Sequence, residues 1–363
     1  MRILVLGGSG NFGARIVRAL AVDSSLELVA ASRNGTRVPG AEDVPAVRLD
    51  MHAEAFAEDL KLLAPGLVVH CVGPFQGQDY RVARAALAAG AHYIDLADGR
   101  EFVAQFGATL DAAARSAGRV AISGASTLPA LSSAVVDSLR TSMEELESIE
   151  VVIAPGQKAP RGAATLEAVF SYLGRAFAVW EEGQWRSSFG WMDLRRVELL
   201  FGRRWAAACD VPDLALFPKR YSPVQSVQFH AALEMGIQHF FLWGLAALRR
   251  VGIPVPMARW APALDRHAGV FDRWAGEWGG MSVRVRGKVN GCAEDRTWQL
   301  VAPALNGPEI PTFAAVLLAR RLAKGESITS GANACMGYLD LAAFREEFDK
   351  WGIRTSVEGG SGS

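Results

Sequence analysis

The sequence opens with ILVLGGSGNFGARIVRAL, residues Ile3 to Leu20, and this stretch decides how the rest is read. Ile3, Leu4, Val5 and Leu6 form a short continuous apolar run, which suits a parallel strand covered on both faces. Beyond the glycines, Phe12, Ile16, Val17 and Leu20 recur at helical spacing, so the glycines lie at a strand-to-helix turn. Gly8, Gly10 and Gly13 fit G-x-G-x-x-G. The first glycine permits the tight turn, the second lets a diphosphate approach the main chain, and the third lets helix and strand pack closely. Unpaired amides at the helix start would then face the phosphates. A lone glycine-rich turn is weak evidence, because any tight turn uses glycine. Its place between a strand and a helix, with LELVAASR (Leu26 to Arg33) following as a second strand, favours a dinucleotide. Gly7, Gly8, Ser9, Gly10, Asn11, Phe12 and Gly13 are therefore the first cofactor-binding candidates.

The alternation continues. AVRLD, LVVHCVG, HYIDLA and RVAISGA read as strands, and EAFAEDLKLLA, YRVARAALAAG and FVAQFGATLDAAARSAG between them carry helical periodicity. This series predicts an α/β fold, a Rossmann doubly wound parallel sheet over residues 1–126, with ligands beyond the carboxyl ends of its strands. Farther on, SIEVVIAP reads as a strand opening a second domain. MSVRVRGKV and RTWQLVAP read as an antiparallel pair joined through Asn290-Gly291. The region from Trp180 to Gly280 reads as helical in places and irregular elsewhere. Together these predict a second α+β domain of mixed sheet and helices over 127–339, for substrate binding and dimerisation. Residues 359–363 read as a flexible linker.

The second strand ends Ser32-Arg33-Asn34, where an NAD site usually places an acid on the ribose 2′-hydroxyl. A guanidinium and two small polar groups there favour the 2′-phosphate of NADP(H). Asp50 closes the third strand, either near the adenine or as cap of the next helix, with the cap favoured.

Length and composition exclude several classes. With 363 residues, half of them apolar, and 38 acids against 38 bases, the chain reads as globular, of about two domains, with no field to attract nucleic acid. The four cysteines are widely spaced with no zinc pattern, so no metal is expected and free thiols in a cytoplasmic protein are. The first strand begins at Arg2, with no charged and then apolar leader pattern before it, so a secretory signal is not expected. The longest apolar stretch, GIQHFFLWGLAAL (Gly236 to Leu248), is interrupted by Gln238 and His239 and is too short to span a bilayer. It reads as a buried helix, with a peripheral membrane contact as the alternative because a basic and then apolar segment follows. His230 and His239 read as core histidines. No Tyr-x-x-x-Lys pair, G-x-S-x-G elbow, H-E-x-x-H pair or G-K-[ST] loop occurs.

VVHCVGPFQGQDYRVARAALAAGAHYIDLADGREFV (Val68 to Val103) and SGASTLPALSSAVVDSL (Ser123 to Leu139) resemble the saccharopine dehydrogenase-like oxidoreductase family. So do the later WQLVAPALNGPEIPTFAAVLLARRLAKG (Trp298 to Gly325) and GANACMGYL (Gly331 to Leu339). The resemblance implies an NADP-binding Rossmann domain, a second α+β domain, and a last helix, at about 340–355, returning to the first. It also implies hydride transfer at a C=N bond of a small-molecule substrate, with enoyl (C=C) reduction as the alternative. A non-enzymatic NADP-sensing protein is the reading outside that class.

On the residues themselves, Gly73, Pro74 and Phe75 end the fourth strand where a nicotinamide would lie, and Gln76 follows toward the substrate. Tyr93 and Asp98, on and after the fifth strand, are the candidates to orient a substrate amine or relay a proton; Asp95 reads as a structural acceptor. Ser126 and Thr127 either cap the following helix or meet the substrate, capping being favoured. Arg161 and Thr165 resemble a segment that faces the cleft in relatives, where an arginine fork would match a carboxylate. A homodimer is expected.

Overall fold

The computed structural model describes residues 1–160, 163–254, 275–303 and 305–359, with 163–166 given by backbone alone. The chain divides into two compact units, Met1–Leu131 with Glu309–Leu339, and Ser132–Pro308 with Asp340–Ser363.

The first unit is a seven-stranded sheet in which every neighbouring pair is parallel. Its strands in chain order are β1 (Arg2–Leu6), β2 (Glu27–Ser32), β3 (Ala46–Arg48), β4 (Leu67–His70), β5 (His92–Asp95) and β6 (Val120–Ser123), closed late in the chain by β15 (Gly331–Ala334). The spatial order is β15-β6-β5-β4-β1-β2-β3. It reverses direction between β1 and β4, and α/β sheets bind ligands at such a point. The inner strands are apolar on both faces, as burial under helices demands: Ile3, Leu4, Val5, Val68, Val69 and Ile94 are sealed from solvent. The connecting helices are α1 (Asn11–Ala21), α2 (Phe56–Leu62), α3 (Arg81–Ala88) and α4 (Arg100–Ser116).

The second unit begins with α5 (Ser132–Leu139) and forms a nine-stranded mixed sheet. Its elements run β7 (Glu145–Ala154), α6 (Ala163–Tyr172), β8 (Ala176–Glu181), β9 (Gln184–Phe189), β10 (Arg195–Leu199), β11 (Gly202–Ala208), α7 (Asp213–Arg220), β12 (Ser226–Ala232), α8 (Gly236–Arg250), β13 (Trp278–Val289), β14 (Cys292–Pro303) and later β16 (Arg354–Glu358). The order is β10-β11-β12-β7-β13-β14-β16, with β8 pairing β12 and β9; β7 and β12 run parallel and the other pairs antiparallel. The expected hairpin is present, Val289 facing Cys292 across Asn290 and Gly291, whose φ of 51° and 75° give the left-handed turn that suits strand twist. On one side of the sheet, Arg296 of β14 donates to the Leu139 carbonyl at the end of α5 (2.8 Å), and Tyr221 after α7 donates to the Ser133 carbonyl (3.2 Å). On the other, Val152, Ala154, Val197, Leu199, Ala206 and Ala232 form a core packed with Phe201, and the Leu200 amide donates to Gln299 (2.9 Å).

Two expectations change. Residues 180–280, read as irregular between helices, contain the strands β9 to β12; QWRSSF and RRVEL are polar strands whose backbone pairing no apolar alternation announces. The segment that returns to the first unit is 309–339, not a helix at about 340–355. It brings α9 (Ile310–Ala323) and β15, because the inner side of α9, Phe313, Ala314, Ala315, Leu318 and Ala319, is sealed from solvent. Arg320 donates to the Ala19 carbonyl at the end of α1 (3.0 Å), and Arg15 pairs with Glu309 at 2.6 Å. The last helix, α10 (Arg345–Lys350), lies in the second unit, with Phe348 against the Trp298 ring of β14.

Candidate functional site

The glycine stretch folds onto the carboxyl ends of β1 and β2. Gly7 and Gly8 donate their amides to the Ala31 carbonyl (2.8 and 3.0 Å), which turns the chain out of the sheet, and Gly7 takes φ +84°. A Cβ on Gly13 would stand 2.1 Å from the Gly7 carbonyl oxygen, so α1 crosses β1 only because that position is glycine. A Cβ on Gly10 would meet the same oxygen at 3.1 Å, tight but not prohibitive. Gly10 is the N-cap of α1, with no side-chain cap and no acid in the first turn. Ser9 and Gly10 are exposed and Asn11 and Phe12 half-buried, so the helix start opens to solvent with its dipole uncompensated, a ready anion site. The cradle fits a diphosphate.

At the end of β2, Ser32 Oγ accepts the Thr36 amide at 3.1 Å and so shapes the turn. Arg33 and Asn34 are exposed beyond it, and Arg33 has no hydrogen bond or ion pair among the described residues. Asp50 behaves differently from expectation. Its carboxylate accepts the His52 amide at 3.0 Å and closes a local turn, while α2 starts later with Ala55 as N-cap; the acid caps no helix.

After β4, the loop Gly73-Pro74-Phe75-Gln76 stands beside the glycine turn, Val72 lying against Gly7. The Gln78 side chain donates to the Val72 and Pro74 carbonyls (2.8 and 2.7 Å) and staples the loop. Sequence reading missed Gln78; its only signal is a second glutamine two places after Gln76. Phe75, expected against the cofactor or substrate, is instead turned inward and 4% exposed, packed on His70 and Phe102 with ring centroids at 5.0 and 5.4 Å. Gln76 is half-buried and reaches Asp98 at 3.4 Å. Asp98 is exposed at the exit of β5, and the protein packed about it pushes its pKa up, against its own amide and Gln76, which lower it. Gly99 beside it is closely packed, since a Cβ there would meet the Phe75 carbonyl at 3.1 Å, as tight as at Gly10.

Tyr93 is corrected by its burial. It is sealed from solvent, its hydroxyl 2.9 Å from His70 Nδ1, and desolvation raises its pKa well above the ordinary phenol value. With its ring closed off from solvent and its hydroxyl on His70, it is an internal residue here rather than one that faces the strand-end cleft. Beneath the site, Asp95 is an acceptor as expected: one oxygen takes the Ala97 amide (2.9 Å), the Ser123 hydroxyl (3.0 Å) and the Gly124 amide (2.7 Å). It thereby ties the loop carrying Asp98 to the loop carrying Ser126 and Thr127. Burial pushes its pKa up to about 6 despite those bonds, and drives that of His70 down to about 3.

Ser126 and Thr127 are half-buried, and neither hydroxyl has a partner among the described residues, so the expected cap is not made. Arg161 and the side chain of Thr165 lie outside the described residues. His230 and His239 are buried, as expected of core histidines. All four cysteines are free, and no group of three metal-ligating side chains occurs among the described residues.

Comparison with known proteins places this geometry. Residues 3–122 match the sequence model described as saccharopine dehydrogenase NADP binding domain. No curated protein matches the chain. Among solved structures, the chain is similar to saccharopine dehydrogenase (L-Glu forming) from Saccharomyces cerevisiae, with a TM-score of 0.68 and 12% identity over 99% of this chain and 100% of that one. It is also similar to the homospermidine synthase of Legionella pneumophila in complex with NAD, with a TM-score of 0.64 and 11% identity over 98% and 91%. At these identities the likeness is one of fold. Residues 3–122 thus match the NADP-binding domain of the saccharopine dehydrogenase family, and over the rest of the chain the likeness to these structures is one of fold.

Proposed function

We propose that the protein is an NADP(H)-dependent oxidoreductase that moves a hydride to or from a C=N bond of a small-molecule substrate, in imine reduction or reductive amination. The observation that carries the nucleotide half is the uncapped, acid-free start of α1 behind Gly7, Gly10 and Gly13. The Arg33 guanidinium, exposed and unpaired at the end of β2, is the group we assign to the 2′-phosphate. Bound along the strand ends, the nicotinamide supplies the hydride. The loop 73–76, stapled by Gln78, borders its place and keeps the reacting face defined, since orientation is most of what a hydride-transfer site contributes.

Hydride delivery to an imine goes with a protonated nitrogen, and Asp98 is the acid we assign to it. It is exposed, its pKa is raised, and Gln76 holds one oxygen. Ser126 and Thr127, with free hydroxyls, and Arg161 and Thr165 are the proposed substrate contacts. The proposed form is a cytoplasmic homodimer.

The test follows NADPH absorbance with panels of amine–aldehyde pairs and of enoyl compounds. Turnover on the amine–aldehyde panel is the expected result. Turnover on the enoyl panel alone would replace the C=N assignment, and tight NADPH binding without turnover on either would make the protein a sensor. In a substrate-turning enzyme, Asp98→Asn should lower kcat about 100-fold while NADPH affinity holds.

A further inference from the structure

Helix α8 differs from the buried helix its sequence leads one to expect. Only His239, Leu245 and Ala246 are buried on it. Ile237, Phe240, Phe241, Trp243 and Leu248 are exposed, Ile237 at 65% and Phe241 at 48%, and the chain leaving the helix adds Val251 at 73%. The spacing of 237, 240, 241, 248 and 251 lays these side chains along one outer stripe, where a water-facing helix would be polar.

The helix itself carries charge of one sign. From Gly236 to Pro254 there is no Asp or Glu, and the helix ends in Arg249 and Arg250. Arg249 is anchored on the Phe170 and Leu173 carbonyls (2.9 and 3.0 Å), Arg250 lies over the Phe189 ring at 4.2 Å, and exposed Arg175 is close enough to Arg249 to help lower its pKa. At the other end of the stripe, Phe240 packs on Trp205, whose ring Arg196 covers at 5.4 Å.

We propose that α8 docks on the surface of an anionic phospholipid bilayer, its outer stripe in the headgroup–acyl boundary and its arginines on the lipid phosphates. It lies on the membrane and does not cross it; no described helix is long and apolar enough to do so. Exposed Phe and Trp rings beside arginines are the side chains that settle at that boundary. A second copy of the chain fits the patch less well. A two-fold interface sets a surface against itself, so the Arg175, Arg249 and Arg250 groups of the two copies would share a patch whose helix carries no acid to pair them. Anionic headgroups supply that pairing.

The test is flotation of the full-length protein with vesicles of phosphatidylcholine alone or mixed with phosphatidylglycerol, at low and high salt. The expected result is flotation with the phosphatidylglycerol vesicles, weakened by salt and at least 10-fold stronger than with phosphatidylcholine. The double variant Phe240→Ser, Phe241→Ser should lose it at least 10-fold while keeping its NADPH-induced thermal shift, which shows that it folds. Brominated acyl chains should quench tryptophan emission in the wild-type protein, and Trp243→Phe should reduce that quenching. Absence of flotation on anionic vesicles overturns the proposal, as does flotation unchanged in the double variant. A wild-type dimer that the double variant splits into monomers, seen by light scattering, also overturns it and assigns the stripe to a second copy. None of these outcomes depends on whether the enzyme acts on a C=N bond.

Discussion

At the scale of single residues, the buried pair beneath the site gives opposed pH dependences. Asp95 has its pKa raised from the unfolded carboxylate value of 3.8 to about 6, so the native state holds a proton that the unfolded chain has released. Its contribution favours folding below pH about 4 and is lost as the pH rises to about 6, amounting to about 3 kcal/mol at most. His70, depressed from 6.5 to about 3, acts the other way: its contribution is present above pH about 6.5 and is lost as the pH falls toward 3. Asp95→Asn keeps an oxygen for the Ala97, Ser123 and Gly124 donors while removing the charge. Urea unfolding at pH 4, 5, 6 and 7 should show the variant gaining relative to wild type as the pH rises; a constant difference would mean that Asp95 is not the group that titrates. At the other end of the site, Arg33→Asp should weaken NADPH about 10- to 100-fold and leave NADH nearly unchanged, as calorimetry would read it. Equal losses for both nucleotides would remove Arg33 from the 2′-phosphate.

At the scale of elements, the glycine turn separates two roles that one motif conceals. Gly13→Ala forces a Cβ to 2.1 Å from the Gly7 oxygen, so its expected effect is a lower melting temperature with or without nucleotide. Gly10→Ala meets that oxygen at 3.1 Å and should fold, yet bind NADPH at least 10-fold more weakly because the methyl stands where the diphosphate must approach. Circular dichroism melts and nucleotide titration of the two variants tell these roles apart. The same turn shows why the first unit was legible in the sequence. Its strands are apolar on both faces and its helices are amphipathic, so burial and periodicity carry the same message. β9 and β10 lack that agreement: Arg186, Arg196 and Glu198 lie on strands held by main-chain pairing, which side chains do not report. Phe75 and Tyr93 were misplaced for a related reason. Position at a strand end tells which residues stand near a site, but partners elsewhere in the chain, Phe102 for Phe75 and His70 and Phe106 for Tyr93, decide that these rings turn inward.

At the scale of the whole molecule, two units were legible but their boundary was not. The switch at Leu131 falls within an uninterrupted run of buried residues from Leu128 to Val136, and no glycine or proline follows Leu131 before the next unit begins. The return of 309–339 is fixed by where α9 buries its apolar side, a long-range fact. Residues 1–131 alone should therefore give a poorly cooperative melt and no measurable NADPH binding. Joining them to 309–339 through a glycine-serine linker should restore both, and binding by 1–131 alone would show that α9 and β15 are dispensable.

That same late return sets a timetable for the protein's birth. A ribosome translates the nucleotide cradle first, yet must pass through residues 132–308 of the second unit before α9 and the seventh strand emerge to complete the sheet. For most of synthesis the nascent amino-terminal sheet waits with one edge open, and during that wait neither its own sequence nor a passing nucleotide can lock it shut.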